Sequence, residues 1–552
     1  MAVLALTATT ALTAGAAADE PSRPSPGEDV TDVSGVTTEA DAATEALAEV
    51  RSIFRRQADT RARSAATATR TGGPADATMA LRDLARYAED LPADERAEAR
   101  AYLARPTTGE GDFGGMVRYT VGEAAPVCSP DICIHYVAST DDAPSPTDVK
   151  DAAGTDGANG VPDYVDQVLR VMTSVHDRYL GAGYREPRGD GALGTGTDLI
   201  DIYLAEIGTA GLYGYCTTDQ PDPAADAQQF FDRWAYCTLD NDYTGFPRTP
   251  LQNLQVTAAH EYFHATQYAY DAYEDSWFLE ATATWAEDEL YDDVNDNVQY
   301  LKRSPLTAPF VPLDAFVGGG DFGGFHYGTW TFFRFLTEQY TAQKGGMPTL
   351  VLDMMKKVDG SLGAKDLYSW QAVDAVLKQR RTTAAKQFLT YSVANRRPGQ
   401  TYDEGAAQKY PTGPLRGRAT LTRTRSRLRP ATIRMDHLTS ATIRLTPKGL
   451  GKKSTRLRVV LDMAPRSRGS LAAVAVVPKK GKVKTSTVKL SKRGDGKKAV
   501  RFSSRTVKYV EITLANSSAR FSDCFQQYTP FSCLGIPRDD NVKQKIGARI
   551  LR

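Results

Sequence analysis

Histidine is scarce in this sequence, with six among 552 residues, so any two at a meaningful spacing stand out. Cysteine is equally rare at six, and none forms a CxxC pair, which argues against a zinc-knuckle or thioredoxin-type use. No run of eighteen or more uncharged apolar residues follows the N-terminus, so no internal membrane span is expected. Internal repeats are absent, and residues 19–115 carry almost no aromatics. Net charge is absent as well, since 67 Lys+Arg balance 67 Asp+Glu. That balance conceals a division. Residues 401–552 hold 34 Lys+Arg against 9 Asp+Glu, leaving 33 against 58 for the remainder. Such asymmetry marks modules with different surroundings.

What is present supports a folded protein of several units. Hydrophobic residues make up 41% and charged residues 24%, enough to bury a core over most of this length. Residues 1–18, MAVLALTATTALTAGAAA, read as the apolar stretch and small-residue cleavage site of a secretory signal, although the usual positive start is missing. The plainer alternative is an Ala/Thr-rich start without that role. The cysteines fall in three local pairs, Cys128/Cys133, Cys216/Cys237 and Cys524/Cys533. Fifteen connectivities exist for six cysteines, and proximity favours this one. Disulfides in turn imply an oxidising, extracellular location.

Four segments follow from the pattern. After the signal, residues 19–115 carry helical periodicity at EALAEVRSIFRRQADTRARS and at ATMALRDLARYAEDLPADERAEARAYLA, joined by the linker SAATATRTGGPAD. This segment is a pro-region or a retained N-terminal extension. Residues 116–400 form the catalytic domain of an α+β protein, mainly helical. Strands are expected at 132–137 and 198–207, an amphipathic helix at 162–184, and helices near 250–270, 276–291, 327–340 and 371–395. From 415 to 552, six alternating segments at roughly ten-residue spacing, from ATIRMDHL to VKYVEITLAN, predict a basic antiparallel β-sandwich.

The chemistry concentrates in His260-Glu261-Tyr262-Phe263-His264. Residues four apart share one face of a helix, so both imidazoles can reach one metal ion. Thr249-Pro250 supplies a helix start upstream, and Glu261 lies beside that face as a proton acceptor. A histidine pair without metal is the bland alternative. A catalytic zinc needs a third protein ligand. The candidates are Asp271, Glu274, Asp275, Glu280 and Glu287. The first three sit in a turn, where acidic residues commonly cap helices. In SWFLEATATWAEDEL, Trp277, Ala281, Thr284 and Trp285 suggest the buried face and put Glu280 at its edge, so Glu280 is the expected ligand. Thr284 and Glu287 are candidates to orient a ligating histidine, with a solvated helix position the favoured expectation for Glu287.

These motifs resemble the gluzincins, zinc metallopeptidases whose HExxH helix is followed by a helix supplying a Glu ligand. In aminopeptidases of that group the ligand stands in a Trp-Leu-Asn-Glu-Gly-Phe-Ala-like segment. Trp277-Phe278-Leu279-Glu280-Ala281-Thr282-Ala283 matches its Trp, Glu and Ala positions. Fifteen residues separate His264 from Glu280, slightly fewer than is usual there. The wider arrangement of signal, pro-region, HEYFHATQ, WFLEATATWAED and β-domain is similar to a family of secreted bacterial proteins classed as metallopeptidases from genome sequences. The resemblance implies a zincin-like fold and zinc-dependent peptide hydrolysis. It also implies a catalytic tyrosine just before a Gly-containing helix, which makes Tyr327 the candidate and His326 its competitor.

Two further features are weighed. In DAAGTDGANGVPDYVD (151–166), Asp156, Asn159, Asp163 and Asp166 suggest a calcium loop, but Thr155 and Gly157 stand where an EF-hand pattern wants Asp or Asn. A polar turn before Pro162 is the alternative. The basic C-terminal segment suits a polyanion such as cell wall, or an acidic part of the same chain. It lacks interleaved aromatics, so specific nucleic-acid reading is not expected. The expectation is a secreted zinc peptidase acting on protein or peptide, with Glu261 as general base. The alternatives are a secreted binding or adhesion protein on the same scaffold and a zinc hydrolase of a non-peptide bond.

Overall fold

The structure is a computed structural model, and it describes residues 38–63, 77–107, 118–191, 193–194, 196–221 and 229–551. The expected signal segment (1–18) and the linker at 64–76 lie outside the described residues. Apolar residues at helical spacing give three N-terminal helices, α1 (Glu39–Arg63), α2 (Ala77–Tyr87) and α3 (Ala93–Leu103). Residues 77–104 carry helical periodicity along their length, but the helix does not run through them. It breaks at Leu91-Pro92, where Leu91 is extended (ψ 152), because a proline disfavours helical geometry in the residue before it.

A mixed five-stranded sheet follows. It contains β1 (Val127–Cys128), β2 (Ile132–His135), β3 (Ile200–Ala205), β4 (Gly214–Thr217) and β5 (Tyr236–Asp240) in the order β1-β2-β3-β5-β4. The central three strands are parallel, and the edge strands β1 and β4 run antiparallel to their neighbours. Every residue of β3 is buried, as expected of a strand covered on both faces. Ile200, Ile202 and Leu204 pack with α4 (Asp163–Ala182) and α5 (Pro250–Asp271). Tyr203 and Ala205 pack with Leu47, Phe54, Leu81 and Leu84 of the N-terminal helices. The sheet thus lies between two helical layers, and β4 forms its outer edge above α5.

The helical region continues with α6 (Ser276–Leu290), α7 (Phe325–Gly328), α8 (Trp330–Thr337), a short hairpin of β6 (Gln343–Lys344) and β7 (Met347–Pro348), α9 (Thr349–Met355), α10 (Ser369–Gln379) and α11 (Ala384–Ala394). The helix expected at 371–395 is two helices. Arg381 takes a positive φ of 59°, and the Thr383 side chain caps α11 by accepting the Lys386 N–H at 3.2 Å.

The C-terminal part is a sandwich. One sheet contains β8 (Gly417–Leu421), β10 (Thr439–Pro447), β12 (Ser470–Pro478), β13 (Lys484–Thr487) and β15 (Val507–Asn516). The other contains β9 (Arg427–Met435), β11 (Arg456–Asp462), β14 (Asp495–Arg501) and β18 (Val542–Leu551). A two-stranded pair, β16 (Phe521–Ser522) and β17 (Ile536–Pro537), stands apart. All sandwich pairings are antiparallel except β8 with β10, which is parallel; the antiparallel expectation is corrected there. Inner faces meet through residues such as Leu457, Val474, Ile512 and Ile546. On the outer face of the five-stranded sheet, Ala473, Ala475 and Ala515 join the helical core. Small side chains there let the helical layer approach the sheet closely, so both parts belong to one compact unit.

All six cysteines are paired, as Cys128–Cys133, Cys216–Cys237 and Cys524–Cys533. Among the described residues, no helix is long and apolar enough to cross a membrane.

Candidate metal centre

Helix α5 starts at a capping box. Gln252 N–H donates to the Thr249 hydroxyl at 3.3 Å, Thr249 N–H donates to the Gln252 side chain at 3.3 Å, and Pro250 takes the first helical position. The phase set there carries His260 and His264 onto one face, with their rings 4.7 Å apart. Helix α6 brings Glu280 against them. Its Oε2 lies 3.2 Å from His260 Nε2, and its Oε1 lies 3.2 Å from His264 Nε2.

The other ring nitrogens are engaged elsewhere. His260 Nδ1 lies 2.6 Å from Glu287 Oε1, and His264 Nδ1 lies 2.7 Å from Gln267 Oε1. Gln267 is fixed in turn by donating to Leu279 O and Thr282 Oγ1. Both Nε2 atoms therefore face the Glu280 carboxylate. His264 Nε2 and Glu280 Oε1 are buried with no hydrogen-bond partner, the condition of groups awaiting a shared ligand. A tetrahedral zinc with bonds of about 2.1 Å keeps neighbouring ligand atoms roughly 3.4 Å apart, close to the separations observed. The donor set and its spacing fit a zinc ion. Among the described residues two other close triads have different donor sets: Asp131/His176/Glu186 holds a single histidine with Glu186 exposed, and in Asp288/Asp292/Glu404 the aspartates pair with Arg334.

Electrostatics supports the same grouping. Burial works against charge on Glu280, yet the two imidazoles hold its carboxyl well below the usual range. Burial pushes the Glu261 carboxyl up, against the pull of both histidines. Glu287 is pushed up to about 7 by burial, with His260 acting in the opposite direction. Its solvated expectation is corrected: it is 4% exposed and bonded to His260. Thr284, the other candidate for orienting a ligand, is buried without a hydrogen bond from its hydroxyl.

The rejected turn residues do not cap α6 with their side chains. Asp271 accepts the Tyr273 N–H at 2.7 Å. Glu274 accepts the N–H groups of Asp275 and Ser369. Asp275 accepts the Ser369 hydroxyl and, at 2.7 Å, the Cys533 N–H. Asp314 accepts the Ser532 hydroxyl at 2.7 Å, and Trp277 donates to that hydroxyl at 3.2 Å. The Cys524–Cys533 loop thus seats the start of the helix that carries Glu280.

A cavity of about 60 Å³ opens beside His260 and Glu261, walled by Tyr213, Gly214, Thr257, Glu287, Asp296, Tyr300 and Tyr327. Strand β4 reaches the site because Gly214 has no side chain. A Cβ there would meet Thr257 Cγ2 at 2.8 Å and Glu261 Cγ at 3.0 Å. Tyr327 stacks on Tyr300 at 4.9 Å and lies 6.1 Å, ring to ring, from His260. Its competitor His326 stacks on Phe316 at 4.2 Å and accepts the Val317 N–H at 3.2 Å, away from the cavity wall. Tyr213, Tyr300 and Gln267 escape the sequence reading. Gln267 had a signal, since it follows His264 by three residues on the same helical face; the two tyrosines had none.

The residues of the calcium expectation are only partly brought together. Asn159 donates to Asp166 Oδ2 at 2.8 Å. Asp156 pairs with Lys150, and Asp163 accepts the N–H groups of Val149 and Lys150 at 2.9 and 2.8 Å. The loop is a hydrogen-bonded turn leading into α4. No family model and no curated protein matches this chain, so its functional reading rests on the site itself.

Proposed function

We propose that the chain is a secreted zinc-dependent peptidase of gluzincin-like, zincin-like architecture. The observation that carries this reading is the approach of His260 Nε2 and His264 Nε2 to the two oxygens of the Glu280 carboxylate, each at 3.2 Å, with ligand atoms of the three residues within 4.8 Å of one another and Glu261 beside them. His260, His264 and Glu280 would hold the zinc, which when bound supplies a Lewis acid and a lowered pKa for water at the centre. Glu261, one residue past His260 on the same helix, takes the proton of the attacking water. It returns that proton to the leaving amine nitrogen, so one carboxylate serves as base and then acid. The partly raised affinity of Glu261 for a proton, caused by burial, suits both halves of that exchange. Tyr327, on the cavity wall, is the proposed donor to the developing oxyanion. Glu287 and Gln267 hold the imidazoles in the tautomer that leaves Nε2 free for the metal.

The test pairs metal analysis with hydrolysis of a quenched peptide library by the zinc-loaded protein and by Glu261→Gln. The expected outcome is one zinc per chain in both forms, with hydrolysis falling by roughly 10²–10⁴-fold in the variant. Equal zinc with no Glu261-dependent cleavage would favour a secreted binding protein, and loss of zinc from the unaltered chain would remove the metal reading altogether.

A further inference from the structure

We propose that the N-terminal helical layer is an inhibitor of the metal centre carried in the same chain, with Thr78 of α2 held in the place of substrate. What is inhibited rests on the peptidase reading; the blockage itself does not.

Thr78 makes two bonds that define the blockage. Its hydroxyl donates to Glu261 Oε2 at 3.1 Å, so the proposed base is already engaged. The same oxygen accepts the N–H of Cys216 at 3.1 Å. Cys216 lies in β4, whose inner edge pairs with β5, and this N–H points from the free edge. An extended peptide adding to that edge would present a carbonyl oxygen to it. Thr78 therefore satisfies the edge-strand donor and the general base with one oxygen, a position between the two groups that a scissile peptide must reach together.

The rest of α2 holds Thr78 there. Arg82, 2% exposed, donates to Glu274 O at 2.7 Å and Ser276 Oγ at 2.8 Å, gripping the turn between the two ligand-bearing helices. Leu81 and Leu84 pack in one cluster with Tyr215 and Tyr236 of the sheet. The 60 Å³ cavity has no wall from α2, so what α2 covers is the approach along the free edge of β4, at Cys216 and Glu261. A peptide added to that edge reaches Glu261 only when α2 leaves.

Four zinc-loaded, full-length forms test this: the unaltered chain, Arg82→Leu, Ala85→Gly and Lys378→Gly. The first substitution removes the anchor. The second loosens α2 about fivefold through glycine's poor helix propensity. The third loosens α10, which carries no site residue, to the same degree. Two rates are read, zinc extraction by excess chromogenic chelator and cleavage of the quenched peptide library. At least tenfold acceleration is expected for Arg82→Leu and about fivefold for Ala85→Gly, with none for Lys378→Gly. Addition of Glu261→Gln should abolish the cleavage. Equal rates in all forms, or acceleration equally by Lys378→Gly, would overturn the inhibition. Faster zinc extraction with no cleavage by any form keeps the inhibition and overturns the peptidase reading. Should Arg82→Leu fail to fold, Ala85→Gly against Lys378→Gly decides alone.

Discussion

At the scale of single residues, the proposed metal centre depends on groups that would not touch the metal. Gln267 occupies His264 Nδ1 through one end and Thr282 and Leu279 through the other, so its loss frees an imidazole inside the core. Gln267→Leu is expected to weaken zinc binding by about 10–100-fold without loss of helix content, measured by chelator competition and circular dichroism. An unchanged affinity would show that packing alone orients His264. The sequence makes His260, Glu261 and His264 legible because a four-residue interval fixes the face of a helix whatever surrounds it. Glu280 is legible by its place in the following helix. Glu287 is not, because whether a residue two turns further on meets solvent or His260 depends on how α5 and α6 cross. Thr78 lies 183 residues from Glu261, a distance at which no local pattern speaks.

At the scale of elements, the N-terminal helices are fastened to the sheet by charge as well as by apolar packing. Arg105, just after α3, is 6% exposed at its side chain and pairs with Asp190, Asp201 and Asp219. Removing it leaves buried Asp190 without a counter-charge and Asp201 with His135 alone, so Arg105→Ala is expected to destabilise the protein by about 3–5 kcal/mol, read from urea unfolding. A loss below about 1 kcal/mol would mean that water replaces the guanidinium. Elements are legible where one periodicity runs unbroken: α4, strands β2 and β3 of the sheet, and β9, β10, β11, β12, β14 and β15 of the sandwich lie close to their expected spans, whereas β1, β4, β5, β8 and β13 had none. Breaks at Pro92 and Arg381 were not anticipated, since helical periodicity on both sides hides a change of direction. Strand β18 was missed because lysines and arginine occupy its exposed alternate positions, and only Val542, Gln544, Ile546 and Ala548 face inward.

At the scale of the whole molecule, the helical part and the sandwich meet at a buried ionic link. His437 lies 3.0 Å from Asp314 and 2.7 Å from Asp540. Burial opposes its charge, but the two carboxylates raise its pKa to about 10. The folded value exceeds the unfolded value of about 6.5, so this stabilisation is fully present below about pH 6.5 and is lost as pH rises through about 10. The thermal midpoint of the unaltered chain should fall between pH 7 and 10 by more than that of His437→Gln. Parallel profiles would remove His437 from the link. Asp314, held low chiefly by His437 against the effect of burial, adds a separate loss once pH falls below the usual aspartate range.

The seating of α6 by the Cys524–Cys533 loop also has a consequence in time. Asp275 meets the Cys533 N–H across 258 positions of chain, and Asp314 meets Ser532 across 218. A ribosome making this protein releases both aspartates long before their partners exist. Until that loop emerges, Asp275 has Ser369 and Asp314 has His437, but the start of the helix bearing Glu280 lacks the Ser532 and Cys533 contacts that complete its seat. The proposed metal centre is thus among the last parts to be completed, and a prematurely ended chain carries His260, His264 and Glu280 without the frame that aligns them.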